Sequence, residues 1–543
     1  MSSSSPPSNA RTVRAALDRA HDATLEQAYG TVSPRSLGRG ILGGLGQTPA
    51  SLHMVAECLN HNHIHHDIFF DDRASRIGSH FTKPAGLHNH AAHHLLAGFS
   101  LGAGASAIAA MYEASLQGFT RPMPESDAQI TEANWQEFLG KDKAYPAYLA
   151  FFHKIISQFG SATAIERYVF GGEGKMLQRF VSGAIHPFIH TGYGVEFGAD
   201  ALVAEGLAQC AIHSAQAGAL FPDPWPPHTE QNGSKTSTPS HASFVETVAM
   251  SASRPVTAGT NGFDLLAEML QDKELAPGVA NNIDSNPALG VTLKRKGELI
   301  KTYCERWSFS SSLPEWDEVV HKTEELFWLA TVIYGAATRP GYQPKLDFFT
   351  MHALTSVLFL PSFLEVLGPQ YWTTVLHSHF RVMVAYWIAR GRPKLFIAEY
   401  LMASTDTPCP PSHPSKRQTL EAGALQRAIV ERGLSKASTE TNGPDGVNPW
   451  FAIHSAAIDH PDEHVTKVIR SLSFAAQHFG TRPKGYFESR LPEVDQLDGT
   501  AFVRAAGMTL DAMGWAHFGQ EPAPDWDRSK PGYDEAWTDA AKL

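Results

Sequence analysis

The stretch Trp372-Thr-Thr-Val-Leu-His-Ser-His-Phe-Arg-Val-Met-Val-Ala-Tyr-Trp-Ile-Ala389 carries apolar side chains at Val375, Leu376, Phe380, Met383, Val384 and Trp387. Steps of three and four residues are the period of a helix face, whereas a half-buried strand would alternate. The same spacing recurs at Trp135 to Phe159, Ala199 to Ala217, Leu346 to Leu360 and His464 to Phe479. Regular Val/Ile/Thr alternation is scarce and no strand-then-helix unit repeats, which argues against a Rossmann sheet or a βα barrel. The expected fold is all-α, a single large helical domain over residues 11–518. Stretches rich in Pro and polar residues interrupt the pattern and are read as loop insertions at 222–240 and 403–448. Residues 1–10 are read as a disordered tail and 519–543 as a C-terminal tail.

The chain holds 44 Lys and Arg against 55 Asp and Glu, a formal net charge of -11. Without a basic run, that balance offers no footprint for a phosphate backbone, so no nucleic-acid partner is expected. The most apolar stretch, Leu95 to Met111, contains Gly98, Gly102 and Gly104. It falls short of the roughly 18 to 20 continuous apolar residues of a membrane span and reads as helix, turn, helix, with no membrane partner. Cys58, Cys210, Cys304 and Cys409 lie far apart, and the Ser/Pro-rich start lacks the basic and apolar regions of a secretory signal. Both features fit reduced thiols in a cytoplasmic protein.

Histidine is the anomaly: 27 in all, ten of them between His53 and His94. Neutral imidazole is the commonest metal ligand and proton carrier near neutral pH. In the first cluster, Asn60 to Phe70, a helix puts His63 and His66 on one face with Asp67 one turn beyond His63. In the second, His90 and His94 sit one turn apart at the head of an apolar run, with His93 as an alternative partner for His90. That is the i,i+4 spacing with which helices grip a metal. In the third, His186 and His190 are four apart in an apolar setting. Pro187 suggests that a helix starts there, and Gly192 and Gly194 that it ends within about a turn and a half. In the fourth, Lys345 and His352 are two turns apart with Phe349 between them on one face. Burial lowers the pKa of an ammonium, and a neutral amine can add carbon dioxide to become an anionic carbamate ligand. Weaker candidates are His377, His379, Glu196, Glu205, His454, His460 and His464. The glycines at Gly102 and Gly104 sit between helices rather than after a strand, so no dinucleotide site is read there, and P-loop and GxSxG motifs are absent.

An ordered series of motifs, HNHxxHH at His88 to His94, NWxxFLGK at Asn134 to Lys141 and IHPFIHxGYGxEF at Ile185 to Phe197, resembles the questin oxidase-like family of fungal and bacterial secondary metabolism. The likeness continues through Leu202 to Leu207, KLDFFxMH at Lys345 to His352, ARGRP at Ala389 to Pro393 and HVxKxIRxL at His464 to Leu472, and spans roughly Leu52 to Phe479. One departure lies before the Phe69-Phe70 pair, where the family tends to carry histidine and this chain has Asp67, preceded by His66.

The resemblance implies oxidative opening of an anthraquinone or related aromatic polyketide ring with dioxygen. Two mechanisms go with the family, a Baeyer-Villiger type that draws on NADPH and a non-haem iron type. Four His-rich sites without a recognisable flavin fold favour iron. The expected ligands of Fe(II) are His90, His94, His186, His190 and His352, or four of them, with Lys345 as a carbamylated (carboxylated) ligand. His63, His66, Asp67 and Glu196 are the expected catalytic groups. The rival readings are a metal-dependent hydrolase, distinguished by turnover without oxygen consumption, and a non-catalytic metal store.

Overall fold

Thr48 accepts a hydrogen bond from the Ser51 amide while Ser51 Oγ accepts from the Thr48 amide, and Pro49 presets the first helical φ. A computed structural model shows the helix that follows, α1 (Pro49–His65), ending where His66 turns extended at φ -123 and ψ 144. The model describes residues 17, 22–43, 45–70, 88–118, 120–223, 225, 241–250, 260–411, 448–523 and 525–542. The expected tail at 1–10 and most of the insertions at 222–240 and 403–448 lie outside these residues.

His66 opens β1 (His66–Phe70), so His63 and His66 do not share a helix face as the spacing suggests. β1 pairs antiparallel with β2 (Thr120–Pro122), His66 opposite Pro122. Among the described residues this is the one sheet, and the fold is otherwise helical. Asn89 ties the next loop to β1: its amide donates to Ile68 O and its side chain to Asn62 Oδ1 and Asp67 O. Two helices follow, α2 (Ala91–Leu101) and α3 (Ala105–Gly118), with Gly102 (φ 100) as the left-handed residue that closes α2. The run expected as one helix from Trp135 breaks at Gly140 (φ 77) into 3-10 turns and then α4 (Tyr145–Phe159).

α5 (Ser182–Phe197) begins with a left-handed turn at Gly183, Ala184 and Ile185. Such a turn costs roughly 1 to 2 kcal/mol for each residue with a Cβ, and here the Tyr386 hydroxyl accepts from the Ala184 amide at 3.0 Å. Gly192 and Gly194 do not end the helix. A Cβ at Gly194 would sit 2.6 Å from the Val203 amide nitrogen, so that glycine lets α6 (Asp200–Ile212) pack directly on α5.

The long core helices α7 (Trp316–Gly335), α8 (Phe348–Val357) and α9 (Trp372–Ala389) complete the centre. The run Phe348–Val366 is long and apolar enough to cross a membrane, but its side chains are mostly buried in protein. Asp347 caps α8 through Phe349 N and Thr350 N and receives Arg390 Nε at 2.6 Å. α10 (Glu463–Phe479) starts on Asp462, which accepts from the His464 amide, and α11 (Thr500–Met513) packs on it. α10 lies against α2 and α8, and α5 lies against the same two, so four helices from distant parts of the chain surround one space.

The described part of 519–543 is not a free tail. Trp526, Tyr533 and Trp537 are buried, and Asp527 forms a parallel bridge with Asp347. The composition of this segment hides three aromatic anchors behind Pro, Asp and Lys.

Candidate metal centre

Each of the four helices delivers imidazoles to that space. His90 sits at the N-cap position of α2 without capping it, and His93 and His94 occupy the first turn. His186 follows the left-handed turn of α5, His352 lies in the middle of α8, and His464 is in the first turn of α10. All are buried. Ring centroids are 4.9 Å apart for His90 and His186, 4.9 Å for His186 and His352, 5.3 Å for His352 and His464, and 4.8 Å for His464 and His90. The four rings close a circle.

Their tautomers follow from the outer contacts. Nδ1 of His90 meets Glu463 Oε1 at 2.7 Å, that of His186 the Gly183 carbonyl at 2.5 Å, that of His352 the Phe348 carbonyl at 2.7 Å, and that of His464 Asp462 Oδ1 at 2.9 Å. Every outer partner is an acceptor, so each Nδ1 carries a proton, and in the neutral form of such a ring the lone pair sits on Nε2. Burial, reinforced by neighbouring histidines and Lys467, pushes His90, His186 and His352 well below the usual histidine range, which keeps them neutral. His90 Nε2 and His186 Nε2 stand 2.7 Å apart, and Nε2 of His352 and of His464 are buried without a hydrogen-bond partner. Buried Nε2 atoms without a protein partner, on rings whose Nδ1–H is anchored to oxygen, are what histidines that hold a metal present. Two sets of donor atoms lie within 4.8 Å of one another, His88 with His90 and His186, and His90 with Glu463 and His464.

Around this circle stand further polar groups. His88 stacks on His186 at 3.8 Å, and its Nε2 is 2.8 Å from His213 Nε2. Lys467, one turn beyond Glu463 on α10, is buried; desolvation lowers its amine to about 8 against the pull of Glu463 and Asp462. Burial would raise Glu463, but His464 and Lys467 hold it below the usual carboxylate range. Behind His90 and His186 runs a buried chain. His93 Nε2 lies 3.0 Å from His190 Nδ1, His190 Nε2 donates to Glu205 Oε2 at 2.5 Å, and His63 Nδ1 to Glu205 Oε1 at 2.5 Å. Burial alone would raise Glu205, yet its two histidines draw it down to about 2.

The structure thus brings together His90, His186 and His352 of the expected ligands and adds His464, with His88 adjacent. His190 stands one layer back with both nitrogens engaged by His93 and Glu205. His94 is buried with Nε2 unpartnered, and its electrostatic neighbours are Glu463 and Lys467. Lys345 does not join the centre. It precedes the Asp347 cap, so the two-turn helical spacing to His352 does not apply, and its amine binds Asp527 Oδ1 at 3.0 Å and Ser529 Oγ at 3.1 Å.

The expected catalytic groups are held elsewhere. His63 binds Glu205 and the Tyr29 carbonyl. His66 packs against the His61 ring at 5.4 Å. Asp67 takes Arg121 Nε at 2.7 Å. Glu196 pairs with the buried Arg470 and accepts from the Ile41 amide at 2.7 Å, bracing α5 against α10. Sequence reasoning passed over Glu463, Lys467 and His88 as site residues and had His93 only as an alternative partner for His90. The signal available for Lys467 was its place three residues after His464 and four after Glu463, on the same face of the helix.

Comparison with known proteins gives the same order of motifs a family. The model described as Questin oxidase-like matches residues 87–472. A Baeyer-Villiger oxidase of Paecilomyces divaricatus is 27% identical over 432 residues, covering 77% of this chain and 78% of the relative. A questin oxidase of Aspergillus terreus is 23% identical over 478 residues, covering 85% and 90%, and one of Aspergillus fumigatus is 26% identical over 476 residues, covering 85% and 88%. With most of its length matched, and with the matched region containing all four histidines of the circle, the chain belongs to the questin oxidase-like family.

Proposed function

We propose that this protein is an oxidoreductase that uses dioxygen to open a ring of an anthraquinone-type aromatic polyketide, with one Fe(II) ion held by His90, His186, His352 and His464. The observation that carries the reading is the ring of four buried imidazoles, each with Nδ1 anchored to an oxygen acceptor, in which His90 Nε2 meets His186 Nε2 and the Nε2 atoms of His352 and His464 have no hydrogen-bond partner. Imidazole sets of this kind also suit zinc, copper and nickel; the relatives' names, questin oxidase and Baeyer-Villiger oxidase, favour a redox metal. When bound, iron supplies the electron-transfer chemistry that lets triplet dioxygen react with a closed-shell phenol.

The chain's own groups do the rest. Glu463 and Asp462 fix the rings of His90 and His464 and strengthen them as donors. Glu205 holds His190, and through it His93, behind the circle. Phe348, 4.8 Å from His352 and 5.2 Å from His464, walls the centre with an apolar face and keeps bulk water away. The carbamate expected at Lys345 fits Lys467 instead, a buried lysine amid the histidines. Addition of carbon dioxide to its neutral amine, with loss of one proton, gives an anionic oxygen donor.

Metal analysis and oxygen uptake with a panel of hydroxyanthraquinones test the reading. One iron per chain and oxygen consumption matched to ring-opened product are expected, with loss of both in His186→Ala. Full activity after complete chelation would sink it. A requirement for NADPH under the same conditions would favour the Baeyer-Villiger route, in which the cofactor delivers the second pair of electrons.

A further inference from the structure

Trp526 approaches the histidine circle from the C-terminal segment. Its ring centroid is 6.4 Å from that of His464, and its Nε1 donates to Asp462 Oδ2 at 3.0 Å, the same residue whose other oxygen orients His464. Solvent lies close behind, because Asp525 and Arg528 are exposed, and the Arg528 guanidinium covers Phe348 at 4.1 Å. Asp525 and Asp527 line a surface cavity of about 270 Å³ together with Lys345, Leu346, Met513 and Ala541. Asp527 is paired alongside Asp347 in extended geometry, so successive side chains point opposite ways. The middle side chain therefore reaches inward to His464 while its two neighbours face the cavity.

We propose that residues 525–529 form a strap across the mouth of the histidine centre, and that this cavity is the entry subsite for a neutral, flat phenolic substrate, with Trp526 the side chain that swings aside to admit it. The proposal deepens the oxygenase reading and rests on it for the identity of the substrate. His352 and His464 are nearly inaccessible, so a molecule of three fused rings must displace part of the protein to reach them.

The strap has no helical hydrogen-bond ladder of its own. It is fastened by Lys345 Nζ to Asp527 and Ser529, by two backbone bonds, Asp527 N to Leu346 O and Phe348 N to Asp527 O, and by Arg390 to the Arg528 carbonyl. The helices behind it carry continuous hydrogen-bond ladders. The cavity lies just below the roughly 300 Å³ at which small-molecule sites begin. Its apolar floor suits an aromatic plane. One ammonium against two carboxylates leaves the lining net negative, which admits a neutral phenol and disfavours an anionic analogue.

Diethyl pyrocarbonate acylates unprotonated imidazole and needs neither metal nor turnover. Applied to the metal-free full-length protein, with peptide mass mapping, it reads His464 and, as a buried control outside the centre, His379 separately. Trp526→Ala is expected to speed modification of His464 by about tenfold, and Lys345→Met, which leaves the indole in place, by a few-fold, with His379 unchanged. No acceleration at His464 in either variant, or an equal acceleration at His379 in both, overturns the strap. Equilibrium binding of a neutral hydroxyanthraquinone and of its sulfonate tests the cavity: Asp525→Lys, at an exposed position, is expected to shift preference toward the sulfonate by about fivefold. An unchanged preference overturns the entry subsite. A protein that binds no iron and consumes no oxygen would defeat the oxygenase reading while leaving the acylation result to stand alone.

Discussion

His90 Nε2 and His186 Nε2 face each other across 2.7 Å while the Nδ1 of each already donates, one to Glu463 and the other to Gly183. Neither neutral ring has a proton left to offer the other. A cation between or beside them removes the repulsion of two buried lone pairs, and in its absence they carry a penalty.

Metal should therefore stabilise the fold strongly. Adding Fe(II), Co(II) or Zn(II) to the chelated protein at a hundred times the dissociation constant is expected to raise stability by about 2.7 kcal/mol. The shift in thermal midpoint measures it, and His186→Ala is expected to abolish it.

Lys467 and Lys345 should part company. Lys467→Ala is expected to lower metal occupancy at equilibrium by at least about tenfold, with partial recovery in added acetate or propionate, as small carboxylates replace the missing anionic donor. Lys345→Met should leave occupancy as it is, since its amine serves Asp527. Metal content after dialysis against a buffered ion decides between them.

Glu205→Gln should unfold more easily than it should lose metal. The carboxylate is buried between His63 and His190, and removing its charge costs about 3 to 5 kcal/mol by the usual penalty for breaking a buried pair. Denaturant midpoints at unchanged slope report this.

Acid should weaken the metal-free protein well before carboxylates titrate. Burial lowers His379 to about 4 from 6.5, against a backbone contact with Ala353 that raises it. A base with a lowered folded pKa takes up its proton in the unfolded chain first, so its contribution is complete above about pH 6.5 and is lost as pH falls toward 4. One such group accounts for about 3 kcal/mol across that window. His379→Gln is expected to flatten the stability profile between pH 6.5 and 4 by up to one proton, as read by denaturation at each pH.

The helical architecture was legible because buried helices repeat at three and four residues, and the pairs around His90 and His186 stood out for the same reason. What spacing could not show was direction. His190 shares a helix face with His186, yet Glu205 on the neighbouring α6 claims it, and Asp347 ends the helical register that seemed to link Lys345 to His352. Glu463, His464 and Lys467 read as the charged opening turn of an amphipathic helix, and only packing against α2 and α8 turns that face inward. Asp67 and Glu196 were visible as acidic groups in a histidine-rich setting, but their cationic partners, Arg121 and Arg470, are distant in sequence and so were invisible.

His90 and Glu463, which touch in the folded molecule, are separated by 373 positions along the chain. During synthesis the first half of the donor set emerges long before the second, so no complete binding pocket exists until α10 has left the ribosome and closed a very long loop. On the proposed reading an ion meets its full donor set only after that closure, so occupancy would report that α10 has docked.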